Sequence, residues 1–300
     1  EAVLNVKAHM RIRTILLQRS SVKSLTFLGD MFDGVQCPCI LLQLIATGKP
    51  LSTAGMMIED GTRTYTIAME RTVVPENFSF RMTDEEYRVL EKIKNSIPVC
   101  YLADHADFAL GIVTGNNKKF LSAEKTQHSE MVLKGTDICK YHINPVKQYL
   151  RFEPEQFQQV APLEIYRAPE KLLYRFISNQ LVVAYDDRQM LSLNSCNIVI
   201  PKIKGMQIKY ILAILNSSVS QFVYQKEFHS IKVLRAHMEH IPIPRVGKAI
   251  QNEIIAMTEP LICGMGKEAA ETCQKRLDCR IMDLFRLSAE EQWIIRHALH

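Results

Sequence analysis

No apolar run in this 300-residue chain reaches the ~18 consecutive positions that a membrane-spanning helix needs. The chain does not open on a secretory signal either. A soluble, cytoplasmic protein is the expectation. Eight cysteines are present, but none forms a CxxC pair, and Cys37-Pro38-Cys39 offers no second pair for a tetrahedral site. Structural zinc is therefore not expected, and the thiols read as reduced and mostly buried. The nine histidines form no HExxH pair. His237 and His240 stand three apart without a carboxylate or cysteine partner pattern, and read as surface side chains. There is no GxSxG elbow, no internal repeat and no low-complexity tract. The stretch GIVTGNNKKF at 111–120 resembles a phosphate-holding loop but fails the P-loop pattern. Three residues rather than four separate Gly111 from Gly115, and Asn116 occupies the lysine position. Asp186-Asp187 has two readings, paired metal carboxylates or a turn after a strand. These absences leave no self-contained active site.

What is present is ample apolar material, 47% of residues, enough for about two domains at roughly 150 residues each. The net charge of +5 is unevenly spread. Residues 1–95 carry 12 Lys/Arg against 11 Asp/Glu, residues 96–247 carry 18 against 13, and residues 248–300 carry 7 against 8. Between Arg188 and Arg235, seven bases face one acid, Glu227. A solvated basic face and a polyanion-binding surface both fit that segment.

The first ninety-odd residues alternate α and β signals. Residues 22–28 and 39–45 read as strands around a loop containing Asp33-Gly34. The second is apolar on both faces, which predicts a strand inside a covered sheet. Residues 63–69 read as a third strand, and Thr83 with Glu86 forms a capping box that opens a helix. Lys94-Asn95-Ser96 and Pro98 mark a boundary. The middle section is α+β. Residues 172–177 and 181–185 read as a hairpin, 196–200 as a strand, and 208–216 and 219–225 as helices broken at Ser217-Ser218. The prolines of Ile241-Pro242-Ile243-Pro244 impose extended backbone. From residue 248 the pattern is helical, with a second capping box at Ser288 and Glu291.

Five blocks, taken in order, resemble the adenine-specific DNA methyltransferases that carry a TaqI-like C-terminal specificity domain, a group that includes fused restriction–modification enzymes. They are LGDMFDGVQCPCILL (28–42), GIVTGNNKKF (111–120), APEKLLYRFISNQLVVAYDD running into LSLNSCNIVIP (168–201), KYILAILNSSVSQFVY leading to IKVLRAHMEHIPIP (209–244), and LDCRIMDLFRLSAEE (277–291). The family's cofactor-binding glycine motif and its Asn-Pro-Pro-aromatic motif are not among them. Asn144-Pro145-Val146-Lys147 lacks the second proline and the aromatic.

The resemblance implies a C-terminal part of a larger enzyme. Residues 1–95 would hold the last strands of a Rossmann-like methyltransferase sheet, 96–247 a mixed α+β target-recognition domain, and 248–300 a helical close. The partner implied is double-stranded DNA, together with upstream methyltransferase domains, and a possible nuclease domain, of the same polypeptide. S-adenosylmethionine would serve the parent enzyme, and none is expected on these residues alone. A non-catalytic specificity subunit docking a separate methyltransferase is the alternative, and a plain protein-interaction module is a third reading. Phe32 matches the family's Phe that packs on a flipped adenine, against the alternative of a core Phe at a strand end. Thr114, Gly115, Asn116, Asn117, Lys118 and Lys119 are candidates for close backbone approach, base edges and phosphates, or else an ordinary turn. Arg175, Arg188, Lys226, Lys232 and Arg235 are phosphate or base candidates, with a buried ion pair open for Arg175. Asn194 and Ser195 fit base contacts and a turn equally. His237 and His240 would lie near the DNA.

Overall fold

The computed structural model describes residues 2–35, 37–61, 63–75, 78, 80–228 and 230–299, and of Asn5 and Lys7 the backbone alone. Gln36, inside the first of the five blocks, lies outside the described residues. The chain divides into two compact units, Glu1–Glu91 with Lys226–Phe228, and Lys92–Gln225 with His229–His300.

In the first unit, helices α1 (Ala2–Asn5) and α2 (Met10–Arg19) precede four strands, β1 (Ser20–Asp30), β2 (Pro38–Ala46), β3 (Met56–Asp60) and β4 (Arg63–Ile67). They form one sheet in the order β2-β1-β3-β4. β1 and β2 make an antiparallel hairpin, β3 runs parallel to β1, and β4 returns antiparallel to β3. One face is buried, through Val22, Leu25 and Phe27 of β1 and Met56 and Ile58 of β3, packed with Phe78 and Phe80. Helix α3 (Asp84–Asn95) opens on the expected capping box: Glu86 N–H donates to Thr83 Oγ1 at 3.2 Å, and Thr83 N–H donates to Glu86 Oε2 at 2.8 Å.

The expectation for β2 is corrected. It is an edge strand, and Leu41, Leu44 and Ile45 are 60%, 41% and 51% exposed. Two-faced apolarity reports that a strand is suited to burial on both sides. It does not place the covering layer within the same unit.

The second unit is built on two four-stranded sheets. One has the order β11-β10-β13-β6, from β6 (Ala106–Ala109), β10 (Lys171–Arg175), β11 (Val183–Asp186) and β13 (Cys196–Pro201), all antiparallel. The other has the order β12-β8-β9-β7, from β7 (Leu121–Ser122), β8 (Ser129–Leu133), β9 (Tyr149–Arg151) and β12 (Leu191–Ser192). A shared core of Val132, Leu133 and Leu150 from the second sheet and Leu173, Ala184, Cys196 and Ile198 from the first joins them. β5 (Val99–Cys100) pairs with β14 (Ile243–Pro244), which is the extended backbone the prolines require.

Short helices α4 (Asn117–Phe120), α5 (Leu163–Tyr166) and α8 (Arg235–Glu239) connect these strands. Helices α6 (Ile208–Asn216) and α7 (Ser218–Glu227) break at Ser217, whose hydroxyl accepts from Ser220 N–H at 3.2 Å and so starts the second helix. α6 is buried from Tyr210 to Asn216, against α9 (Lys248–Cys263) and the β10–β11 pair. α10 (Lys267–Leu284) and α11 (Ala289–Ala298) complete the helical end, with the Ser288–Glu291 capping box formed. No helix of the described residues is long and apolar enough to cross a membrane.

Candidate nucleic-acid interface

The 111–120 loop is held down at both ends. A Cβ on Gly111 would lie 2.0 Å from the Leu193 carbonyl oxygen, so this glycine is required by close packing against the chain entering β13. Its N–H donates to Asn197 Oδ1 at 3.2 Å. Gly115 has φ +73°, the left-handed region that glycine enters freely. Asn116 caps α4, its Oδ1 accepting from Lys119 N–H at 3.2 Å. Buried Thr114 donates to Asn117 Oδ1 at 2.6 Å, and Lys119 Nζ donates to Gln156 Oε1 at 2.6 Å. The polar side chains of this loop thus build its own shape, and Lys118 is the one that stands exposed without a described partner.

Arg175 is half-buried and bonded to backbone carbonyls. Its Nε donates to the Gly135 carbonyl at 2.9 Å and its Nη2 to the Ile138 carbonyl at 2.6 Å. The guanidinium thereby holds the β8–β9 connection onto β10. Ser195 belongs to the same junction, its hydroxyl accepting from Gly135 N–H at 2.9 Å. Asn194 beside it is exposed.

The basic segment loses much of its excess once distant acids are placed. Lys202 pairs with Asp107 at 2.5 Å, Lys209 with Glu259 at 2.7 Å, and Arg235 with Glu239 at 2.7 Å. Lys226, grouped with the first unit, is buried against Glu86 at 2.9 Å, which removes it from any exposed set. Burial pushes the Glu86 carboxyl up, but Lys226 outweighs that and holds it below its ordinary value. Arg188, Lys204 and Lys232 remain exposed and outside the described ion pairs.

His237 also departs from its surface reading. It is buried, its Nδ1 accepts from Leu234 N–H at 3.2 Å, and burial followed by the charge of His240 lowers its pKa to about 4. His240 is exposed. Asp186 and Asp187 follow the turn reading. Asp186 is fully buried, accepts from Arg188 N–H at 2.9 Å and Met190 N–H at 3.0 Å, and pairs with Lys171 at 2.6 Å. Among the described residues, no three His, Cys, Asp or Glu side chains are grouped to hold a metal. Phe32 lies in the β1–β2 loop of the first unit, 63% exposed, and is not a core residue.

Among solved structures, the chain is similar to the Type IIL restriction-modification enzyme MmeI in complex with DNA. The TM-score is 0.60 at 9% identity, over 99% of this chain and 48% of that one, which establishes a shared fold. The chain therefore spans about half the length of that structure. The HsdS subunit from Thermoanaerobacter tengcongensis matches at TM-score 0.37 and 13% identity, over 72% of this chain and 50% of that one. The type IIG restriction endonuclease BpuSI matches at TM-score 0.39 and 10% identity, over 95% and 46%. Neither of these two is close enough to argue from. No curated protein matches by sequence. Residues 130–243 match the family model of the TaqI-like C-terminal specificity domain. That segment runs from β8 to β14, so it takes in the Gly135–Arg175–Ser195 junction together with Arg188, Asn194, Lys232 and Arg235, and leaves out the 111–120 loop.

Proposed function

We propose that this chain recognises a specific double-stranded DNA sequence on behalf of an adenine-specific DNA methyltransferase of a restriction–modification system. The observation that carries the reading is the specificity-domain match over residues 130–243. The exposed bases Arg188, Lys204 and Lys232, with Lys118 on the neighbouring loop, supply the cationic groups that phosphate contacts require. Asn194 is the exposed amide of the β12–β13 turn and is assigned to base contact.

The parent enzyme, in this reading, takes its methyl group from S-adenosylmethionine and carries its cofactor and catalytic motifs on residues upstream of these. The exposed apolar side chains of the edge strand β2 support that assignment, because Leu41, Leu44 and Ile45 suit a strand covered by further sheet. Phe32, exposed beside that edge on the β1–β2 loop, is assigned to packing against the flipped adenine. The reading divides the chain into residues 1–95 of methyltransferase character, 96–247 for target recognition and 248–300 as a helical close.

Selection from a pool of randomised duplexes tests it. The chain is expected to retain a fraction that shares one sequence motif. Retention without any shared motif would overturn the proposal.

A further inference from the structure

β11 ends at Asp186 and β12 begins at Leu191, and the turn between them holds Gln189 at φ +56°. The left-handed region is unfavourable for an L-residue with a side chain, and glycine occupies it freely. Three anchors impose it. Buried Asp186 accepts from the N–H groups of Arg188 and Met190, and Lys171 fixes that carboxylate from beneath. From outside, Arg167 donates to the Gln189 carbonyl at 2.7 Å and to both carboxylate oxygens of Glu130 on β8 at 2.8 and 2.6 Å. The turn is clamped to two sheets, and its product is a fixed direction for the exposed side chains of Arg188 and Gln189.

Both residues line a cleft of about 300 Å³. Lys125, Met131 and Tyr149 also line it. Lys125, Arg167 and Arg188 face a single lining acid, Glu130, and Arg167 already occupies it. Asp187, also exposed on the turn, does not line the cleft. A cleft lined by three cationic side chains suits the phosphates of a nucleic-acid strand. Residues held in such sparsely populated backbone conformations cluster at ligand-binding sites.

We propose that Gln189 reads a base edge of the DNA target, while Arg188 and Lys125 take phosphates of the strand crossing the cleft. This rests on the DNA-recognition reading above and adds its specificity residue. A glutamine amide pairs in bidentate fashion with adenine N6 and N7, whereas glutamate accepts from cytosine N4. Adenine is thus the base assigned to Gln189.

The experiment repeats the randomised-duplex selection with Q189G and Q189E, alongside thermal unfolding of each. Q189G keeps the turn's backbone and removes the amide. It should unfold no lower than wild type and lose discrimination at one position by about 5- to 150-fold, the equivalent of ~1–3 kcal/mol. Q189E should move that position from adenine to cytosine and leave the others unchanged. Both variants returning the wild-type motif at every position would overturn the assignment of Gln189 and leave DNA recognition standing. A wild-type chain that selects no motif would overturn both. Uniform weakening across the motif by a folded Q189G would also count against it.

Discussion

Lys171 Nζ lies 2.6 Å from Asp186 Oδ2, and neither side chain touches solvent. Burying two charges costs several kcal/mol each, which their mutual attraction only partly repays. Further bonds complete the arrangement: Lys171 also donates to the Tyr166 carbonyl at 2.6 Å, and Asp186 caps the turn it begins. Removing one partner leaves the other charged and buried. Lys171→Met is therefore expected to lower unfolding free energy by about 3–5 kcal/mol in urea titration. A loss below about 1 kcal/mol would show that the pair is not what holds the β11–β12 turn.

Gly111 supplies a steric prediction. A Cβ placed 2.0 Å from the Leu193 carbonyl oxygen meets backbone, which has no rotamer with which to yield. Gly111→Ala should cost ~3 kcal/mol or more. Gly115→Ala, where the penalty is left-handed backbone alone, should cost only ~1–2 kcal/mol. Thermal unfolding of the two variants separates them, and equal losses would contradict the packing argument.

Both glycines show what sequence could and could not disclose. Gly115 is legible, since Gly-Asn-Asn is turn chemistry written in adjacent residues. Gly111 is not, because its constraint comes from Leu193, far along the chain. The same division runs through the fold. The two capping boxes, the β10–β11 hairpin, the Ser217 break and the Pro-enforced β14 rest on local bonds. The edge position of β2, the carbonyls that hold Arg175 and the acids that neutralise Lys202, Lys209 and Lys226 are long-range facts. Asp107, Glu259 and Glu86 all lie outside residues 188–235, so the charge of that segment overstates how many of its bases are unpaired.

The pH dependence of stability follows from His237. Its pKa is lowered to about 4 by burial, against ~6.5 in the unfolded chain. Between those values the unfolded state binds the extra proton, so stability rises with pH. The contribution is complete above about pH 6.5 and falls away as pH drops toward 4, by on the order of 3 kcal/mol in all. Urea titrations of wild type and His237→Gln across that window isolate the term. The variant should show the shallower slope, and parallel slopes would exclude His237 as its source.

Phe32 is exposed on a loop, so Phe32→Ala should change stability by less than about 0.5 kcal/mol. It should also leave DNA affinity nearly unchanged. In the parent methyltransferase proposed above, it should abolish the fluorescence rise of 2-aminopurine placed at the target adenine, because an extruded base would lose its apolar partner. An undiminished fluorescence rise would remove Phe32 from base extrusion.

The most direct test of DNA recognition is the dependence of duplex affinity on salt. Each phosphate contact contributes about 0.9 to the slope of log Kobs against log salt. Lys118→Ala and Lys232→Ala, both of exposed lysines, should each lower that slope by about one unit and weaken all sequences alike. Lys226→Ala, in a buried pair with Glu86, should lower stability and leave the slope unchanged. The account predicts steep weakening between ~50 and 200 mM salt. Affinity that stays constant across that range would contradict a phosphate-contacting interface, and with it the DNA-recognition reading.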